Sequence, residues 1–283
     1  MGPGKKYYYY LDLFESFLSQ EAPSLFFPES LRVSCMYSAG NGGKRIRPVL
    51  LLSTLDGLNY RIDNDALKSA MAIEFVHTYS LIHDDLPSMD NDDLRRGKPS
   101  LHKYAGEDMA ILAGDALLTA AFSVLSSIQG DMAIKLVREL SSASLGMVSG
   151  QVMDTCQPRH KDIKEINFYK TSLMLELPFK MAMILSGMKE NSHIVSTGKY
   201  MGEMFQVVDD LLDVTGNLVE LGKTPGKDRL SDKRTIVDEL GIEGTRNFIE
   251  ELRKQTIESI ESTPLTNKDF FKELTDFMAT RSA

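Results

Sequence analysis

Cysteine is scarce: only Cys35 and Cys156 occur in 283 residues. They fit neither a disulfide framework nor a CxxC metal site. Two buried or idle thiols in a reducing cytoplasm is the reading they favour. No GxxxxGK[ST] loop is present, which argues against P-loop phosphoryl transfer. No Ser–His–Asp or Cys–His arrangement stands out, so no protein nucleophile is expected. No stretch approaches 18 uncharged apolar residues, so no segment is expected to span a membrane. The N-terminus has basic residues but no long apolar core and no small-residue cleavage site. Positive charge is also in deficit, with a net charge of −8. An acidic chain is a poor general binder of nucleic acid or anionic membrane. An anionic substrate would need local basic groups or bridging cations.

The alternation of β-branched and polar residues that marks strands is nearly absent, and most of the chain reads as helix. Leu67 to Leu86 is too crowded with apolar residues for one stripe and predicts a largely buried helix. Met109 to Ile128 is apolar nearly all round and predicts a central helix. Ile166 to Gly187 and Thr197 to Val214 read similarly. Breaks fall at Ala39–Gly43, Leu86–Pro99, Glu190–Ser192 and Gly216–Lys233. The last is long, charged and glycine-bearing, as functional or mobile loops are. No composition shift marks a boundary, so residues 1–283 read as a single domain.

Two acidic clusters dominate. The run 83–93, HDDLPSMDNDD, puts Asp84 and Asp85 at the end of a buried helix that Pro87 should stop. Carboxylates are disfavoured there by the macrodipole, and divalent cations would offset the cost. Asp90 can fold back toward Asp84. The bland alternative is a solvated Asp-rich helix stop. In FQVVDDLLDVTG (205–216), Asp209, Asp210 and Asp213 sit among apolar neighbours. Asp209 and Asp213 share a helix face, and like charges repel there. Bound Mg²⁺ would resolve this with hard oxygen ligands, water and phosphate. An exposed acidic helix face fits the apolar flanks poorly. Two such clusters facing each other would hold several Mg²⁺ ions around a diphosphate and neutralise a leaving pyrophosphate.

Basic complements lie nearby. GGKRIRP (42–48) reads as a glycine-led helix start with Lys44 and Arg47 on one face, suited to an anion. Arg95 and Arg96 follow the first acidic cluster directly; charge balance with Asp92 and Asp93 explains one arginine but not both. Lys170 and Thr171 are mid-helix, and Gln206 precedes Asp209 by one turn. Lys223, Lys227 and Lys233 dot the long loop, where lysines are ordinarily just solvated; together they read as a closing, phosphate-reading lid. His77 and His83 are too far apart to share a metal, and His83 reads as a satisfied core histidine.

Together these residues resemble the trans-isoprenyl diphosphate synthases, most closely the bacterial farnesyl/geranyl diphosphate synthases. The matching segments are GGKRIRP at 42–48, EFVHTYSLIHDDLPSMDNDDLRRGKPS at 74–100 and LAGDALL at 112–118. KT at 170–171, FQVVDDLLDVTG at 205–216 and GK-x₂-GKD at 222–228 follow in order. The resemblance covers about Leu11 to the C-terminal end. It implies an all-α fold of antiparallel helices around a deep central cavity, a homodimer, and three Mg²⁺ per site with substrate bound. It assigns the metal to Asp84, Asp85, Asp90, Asp209 and Asp213. Lys44, Arg47, His77 and Arg96 would bind isopentenyl diphosphate. Arg95, Lys170 and Lys223 would bind the allylic diphosphate. Thr171 and Gln206 would line the allylic cation, and Lys233 would help close the site. Departures are Ser172 after Lys-Thr, Ser149-Gly150-Gln151 near the middle, and a Met-rich helix carrying Glu176 and Pro178.

The implied reaction ionises the allylic diphosphate in a water-poor cavity, adds the isopentenyl double bond and loses a proton. Tyr79 and Ser80, just upstream of the first acidic motif, resemble the C15 pattern. The expected main product is therefore farnesyl diphosphate, with geranyl and geranylgeranyl diphosphate as alternatives. A terpene cyclase would not need the second diphosphate site. A non-catalytic subunit of a heteromeric synthase would be expected to lose acidic motifs. A metal-dependent phosphohydrolase gives no reason for the deep apolar helices.

Overall fold

The computed structural model describes residues 4–156, 162–215 and 235–280. The lid segment with Lys223, Lys227 and Lys233 lies outside the described residues. The architecture is all-α, as the missing strand alternation implied. In chain order come α1 (Lys5–Glu21), a short 3₁₀ turn (Ala22–Leu25), α2 (Glu29–Ala39), α3 (Ile46–Gly57) and α4 (Asn64–Asp84). A two-stranded hairpin follows, β1 (Leu94–Arg95) and β2 (Lys98–Pro99). Then come α5 (Leu101–Ala105), α6 (Glu107–Ser126), α7 (Asp131–Thr155) and α8 (Ile163–Asn167). A π-helical segment, Phe168–Ser172, leads into α9 (Leu173–Leu185). The chain continues with α10 (Ser192–Thr215), α11 (Ile236–Glu261) and α12 (Lys268–Thr280).

Helix α4 is the spine. Asp63 caps it by accepting from the Ala66 N–H at 2.9 Å, and Asp65 favours the positive end of the dipole. Its apolar residues point in every direction, so it is buried among α3, α6 and α9. It ends at Asp84, three residues before Pro87. Helix α10 packs on α9, the π segment and α11. Close approach there needs glycine: a Cβ on Gly202 would lie 2.7 Å from the Ser172 Cα.

Three expectations change. Helix α6 is not enclosed. Ala110, Ala113, Gly114, Leu117, Ala121 and Leu125 form its buried stripe, while Ile111 and Leu112 are exposed. Among the described residues α6 is long and apolar enough, by length and composition, to cross a membrane, contrary to the reading that no segment is. Glu107 and Asp108 sit in its first turn, and Asp115 is the one charge in the apolar run that follows. Here the buried stripe packs on α4 and α2 instead. Lys44 and Arg47 also do not share a helix face, because α3 begins only at Ile46. Arg45 takes a left-handed conformation (φ 46°), breaking the helix between them. It is held there by buried ion pairs to Glu15 at 2.7 Å and Glu74 at 2.6 Å.

Candidate active site

A cavity of about 850 Å³ opens where the ends of α4 and α10 meet the π segment. Asp84 and Asp90 from the first acidic cluster and Asp209 and Asp210 from the second all line it. So do Arg47, His77, Arg95, Lys170, Thr171 and Gln206. Tyr79, Ile111, Met147, Val148, Val152 and Phe205 add apolar wall. The two clusters, about 125 residues apart in the chain, thus share one chamber with a charged rim.

At the end of α4 the chain folds back on itself. The Asp90 N–H donates to the Asp84 carbonyl at 2.8 Å, and the Asp92 N–H to the Asp85 carbonyl at 3.2 Å. Asp84 Oδ1 accepts from Gln151 Nε2 of α7 at 2.8 Å. Asp85 faces elsewhere: it is buried, outside the lining of this cavity, and paired with Arg95. Burial raises its pKa, and the Arg95 contact opposes that. Arg95 is placed by the hairpin. Arg96 (φ 53°) and Gly97 (φ 75°) form the tight turn between its two-residue strands, a position that needs positive φ.

Arg96 swings the other way. Its guanidinium donates to the Gly42 carbonyl and lies 4.0 Å from Glu74. It packs on Gly43 (φ 115°), where a Cβ would stand 2.7 Å from the Arg96 Cζ. Lys44 is exposed, and its backbone carbonyl accepts from the Tyr7 hydroxyl. Neither Lys44 nor Arg96 lines the cavity; Arg47 and His77 do. Burial lowers the Arg47 pKa to about 10, against opposition from Glu74 and Asp209. Burial also pushes His77 well below the ordinary histidine range, and Arg47, Arg96, Arg45 and Arg95 add to the shift. His77 is therefore a neutral imidazole in a cationic pocket at neutral pH.

The π segment presents Lys170 and Thr171. Lys170 Nζ pairs with Asp154 at 2.6 Å. Thr171 Oγ1 donates to Gln206 Oε1 at 2.7 Å, and Gln206 Nε2 donates to Asp210 Oδ1 at 2.8 Å. Asp210 Oδ2 in turn accepts from the Ile236 N–H that opens α11, at 3.2 Å. Asp210 is thus a tether, while Asp209 faces the chamber. Asp213 is buried and lies outside the lining. His83, read as a core histidine, instead lines the cavity and is half-buried.

Sequence reasoning missed Glu74, Asp154 and the Gln151–Asp84 bond. Each pairs with a residue distant in sequence, so no local spacing signalled it.

The donor set was tested against magnesium. Among the described residues no group of three or more His, Cys, Asp or Glu side chains is arranged to hold a metal alone. Mg²⁺ rarely asks for that; it takes one or two carboxylates, with water and substrate phosphate filling the rest. Asp84, Asp90 and Asp209 offer such oxygens on the lining of one cavity. Two buried side-chain atoms on the lining have no hydrogen-bond partner: Gln151 Oε1, which can accept from a metal-bound water, and Arg47 Nε, which can donate to a phosphate oxygen. The residues fit a magnesium–diphosphate ligand.

An all-helical chamber with two carboxylate-bearing helix ends above an apolar depth defines the isoprenoid synthase class. The chain belongs to the polyprenyl synthetase family, whose model matches residues 28–273. It is 40% identical to farnesyl diphosphate synthase of Micrococcus luteus over 281 residues, covering 95% of this chain and 94% of the relative. It is 42% identical to a chloroplastic geranylgeranyl pyrophosphate synthase of Catharanthus roseus, covering 82% of this chain and 69% of that one. The fold is similar to a Helicobacter pylori geranyltransferase crystallised with magnesium and isoprenyl diphosphate. That match has TM-score 0.82 and 31% identity, covering 98% and 97% of the two chains. The chain is a short-chain trans-prenyltransferase, from a family that uses Mg²⁺.

Proposed function

We propose that this enzyme condenses isopentenyl diphosphate with dimethylallyl and then geranyl diphosphate, releasing farnesyl diphosphate as main product. The carrying observation is the buried Tyr79 ring on the cavity wall, five residues before Asp84 on α4. Burial raises the Tyr79 pKa, and its ring packs edge to face on His83 at 5.8 Å between centroids. A bulky, buried ring on the cavity wall stops a growing tail.

Asp84, Asp85, Asp90, Asp209 and Asp213 are proposed to hold magnesium, with Asp85 and Asp213 reaching it only after leaving their buried positions. When bound, magnesium supplies positive charge to the diphosphate leaving group. Lys170 and Arg95 orient the allylic diphosphate, and Lys223 and Lys233 complete the closed site. Thr171 Oγ1 and Gln206 Oε1 offer oxygen dipoles to the allylic cation. Arg47 and His77, with Lys44 and Arg96 turning inward, hold the isopentenyl diphosphate. The apolar wall keeps water from the cation. The released diphosphate is the base for the final proton, which requires no protein base.

The setting is proposed to be cytoplasmic, and the working unit a homodimer. A row of exposed apolar side chains supports the dimer: Ile134, Leu145, Val148 and Val152 on α7, beside Ile111 and Leu112 on α6.

Product chromatography tests the reading. Pure protein with Mg²⁺, isopentenyl diphosphate and dimethylallyl diphosphate should yield mainly C15 diphosphate, and chelation should abolish it. Tyr79→Ala should shift the product to C20 or longer. A C15 product unchanged in that variant rules out Tyr79 as the floor.

A further inference from the structure

The wall of the chamber contains a contact that the assigned roles do not use. His83 lies one turn beyond Tyr79 on α4, and both side chains line the cavity. Their rings meet edge to face, with centroids 5.8 Å apart and planes at 77°. The far side of the imidazole rests on α6. His83 Nε2 lies 3.1 Å from the Ile111 carbonyl oxygen. A carbonyl only accepts, so Nε2 carries the proton and donates. The ring reaches that carbonyl because residue 114 has no side chain. A Cβ on Gly114 would stand 2.1 Å from His83 Nε2, 2.5 Å from Cδ2 and 2.8 Å from Cε1. Gly114 and the Ile111 carbonyl thus form a notch in α6 that stows the imidazole.

The geometry points to His83 and Gly114 as a specificity-determining pair: the notch in α6 sets how far the imidazole stands into the chamber, and so how long a prenyl tail fits beside Tyr79. The inference rests on the prenyltransferase reading and adds a second wall to the Tyr79 floor. Two sides of the ring are accounted for. The α6 backbone blocks one and the Tyr79 ring another. The ring also lines the cavity. Filling the notch drives the ring into the space the tail occupies, breaks the bond to Ile111 and presses on Tyr79. Removing the ring instead opens the notch to the tail.

Three variants test this with the full-length protein, Mg²⁺, isopentenyl diphosphate and dimethylallyl diphosphate, reading the C10:C15:C20 ratio. Gly114→Ala should raise the C10:C15 ratio at least about fivefold. His83→Ala should shift product toward C20. The double variant His83→Ala/Gly114→Ala should follow His83→Ala, because the added methyl then meets no ring. A purely structural role would lower the rate without moving the ratio. Unchanged ratios in His83→Ala, or a double variant that keeps the short-product bias of Gly114→Ala, overturn the inference. If Gly114→Ala fails to fold, the ratio in His83→Ala and the folding of the double variant decide it. A wild-type protein that makes no prenyl diphosphate overturns the functional reading itself; active wild type with unmoved ratios overturns only the wall.

Discussion

Arg47 carries a conflict between stability and function. Its side chain is buried, its Nε has no hydrogen-bond partner, and burial lowers its pKa to about 10. Glu74 and Asp209 offset part of the cost, but Glu74 already serves Arg45 at 2.6 Å. A buried cation without full compensation destabilises a fold, because taking an ion out of water costs several kcal/mol. Arg47→Met should therefore raise the melting temperature of the ligand-free protein. In the proposed binding role the same change would remove a charge-assisted contact to diphosphate, a loss of about 2–5 kcal/mol when the pair is desolvated. The specificity constant for isopentenyl diphosphate should fall roughly 10²–10³-fold. Calorimetry and steady-state kinetics on one preparation check both halves. A variant that is neither more stable nor less active would remove Arg47 from the binding role.

At the scale of elements, the π segment depends on one glycine across from it. A Cβ on Gly150 of α7 would lie 2.3 Å from the Lys170 nitrogen and 2.7 Å from its Cα. Those are backbone atoms and cannot rotate away. Gly150→Ala should destabilise the protein by about 1–3 kcal/mol through overpacking. It should also push Lys170 and Thr171 off their positions, and a displacement near 1 Å costs about 10²-fold in rate. Gly146→Ala on the same helix is the comparison, since its Cβ would meet the Leu173 side chain, which can move. Equal activity in both variants would sever the π segment from catalysis. These elements also show what the sequence made readable. The acidic clusters were legible because each is local, with Asp84 and Asp90 or Asp209 and Asp213 within two turns of chain. Their convergence on one chamber was not, since it depends on how α4, α7 and α10 cross. The burial of Asp85 against Arg95 and the left-handed turn at Arg45 were hidden for the same reason. Helix α6 was misread as central because composition gives the amount of apolar surface and not what covers it.

That uncovered surface belongs to the whole molecule. Ile134 is 62% exposed and Leu145 66%, and they lie with Val148 and Val152 on one stripe of α7 at helical spacing. Ile111 and Leu112 of α6 extend the patch. Arg138 and Ser141 separate Ile134 from the rest, but the exposed apolar cluster of Leu145, Val148 and Val152 beside Ile111 and Leu112 is of the kind that marks interaction sites. Ile111, Val148 and Val152 also line the cavity. The chamber wall is therefore thin there, and a carbocation intermediate does not tolerate water entering through it. The proposed second copy, if packed on this patch, would cover the stripe and the thin wall together. A two-fold interface sets the same patch of each copy against the other, so like charges introduced on both copies repel across it. Ile134→Glu/Leu145→Glu, which touches no cavity-lining residue, should halve the mass seen by light scattering. It should also raise the share of prenyl alcohol formed by water capture of the cation, read by chromatography of the same reaction. A wild-type monomer, or a double variant still dimeric with an unchanged alcohol share, would place the subunit contact elsewhere and leave the chamber sealed by this chain alone.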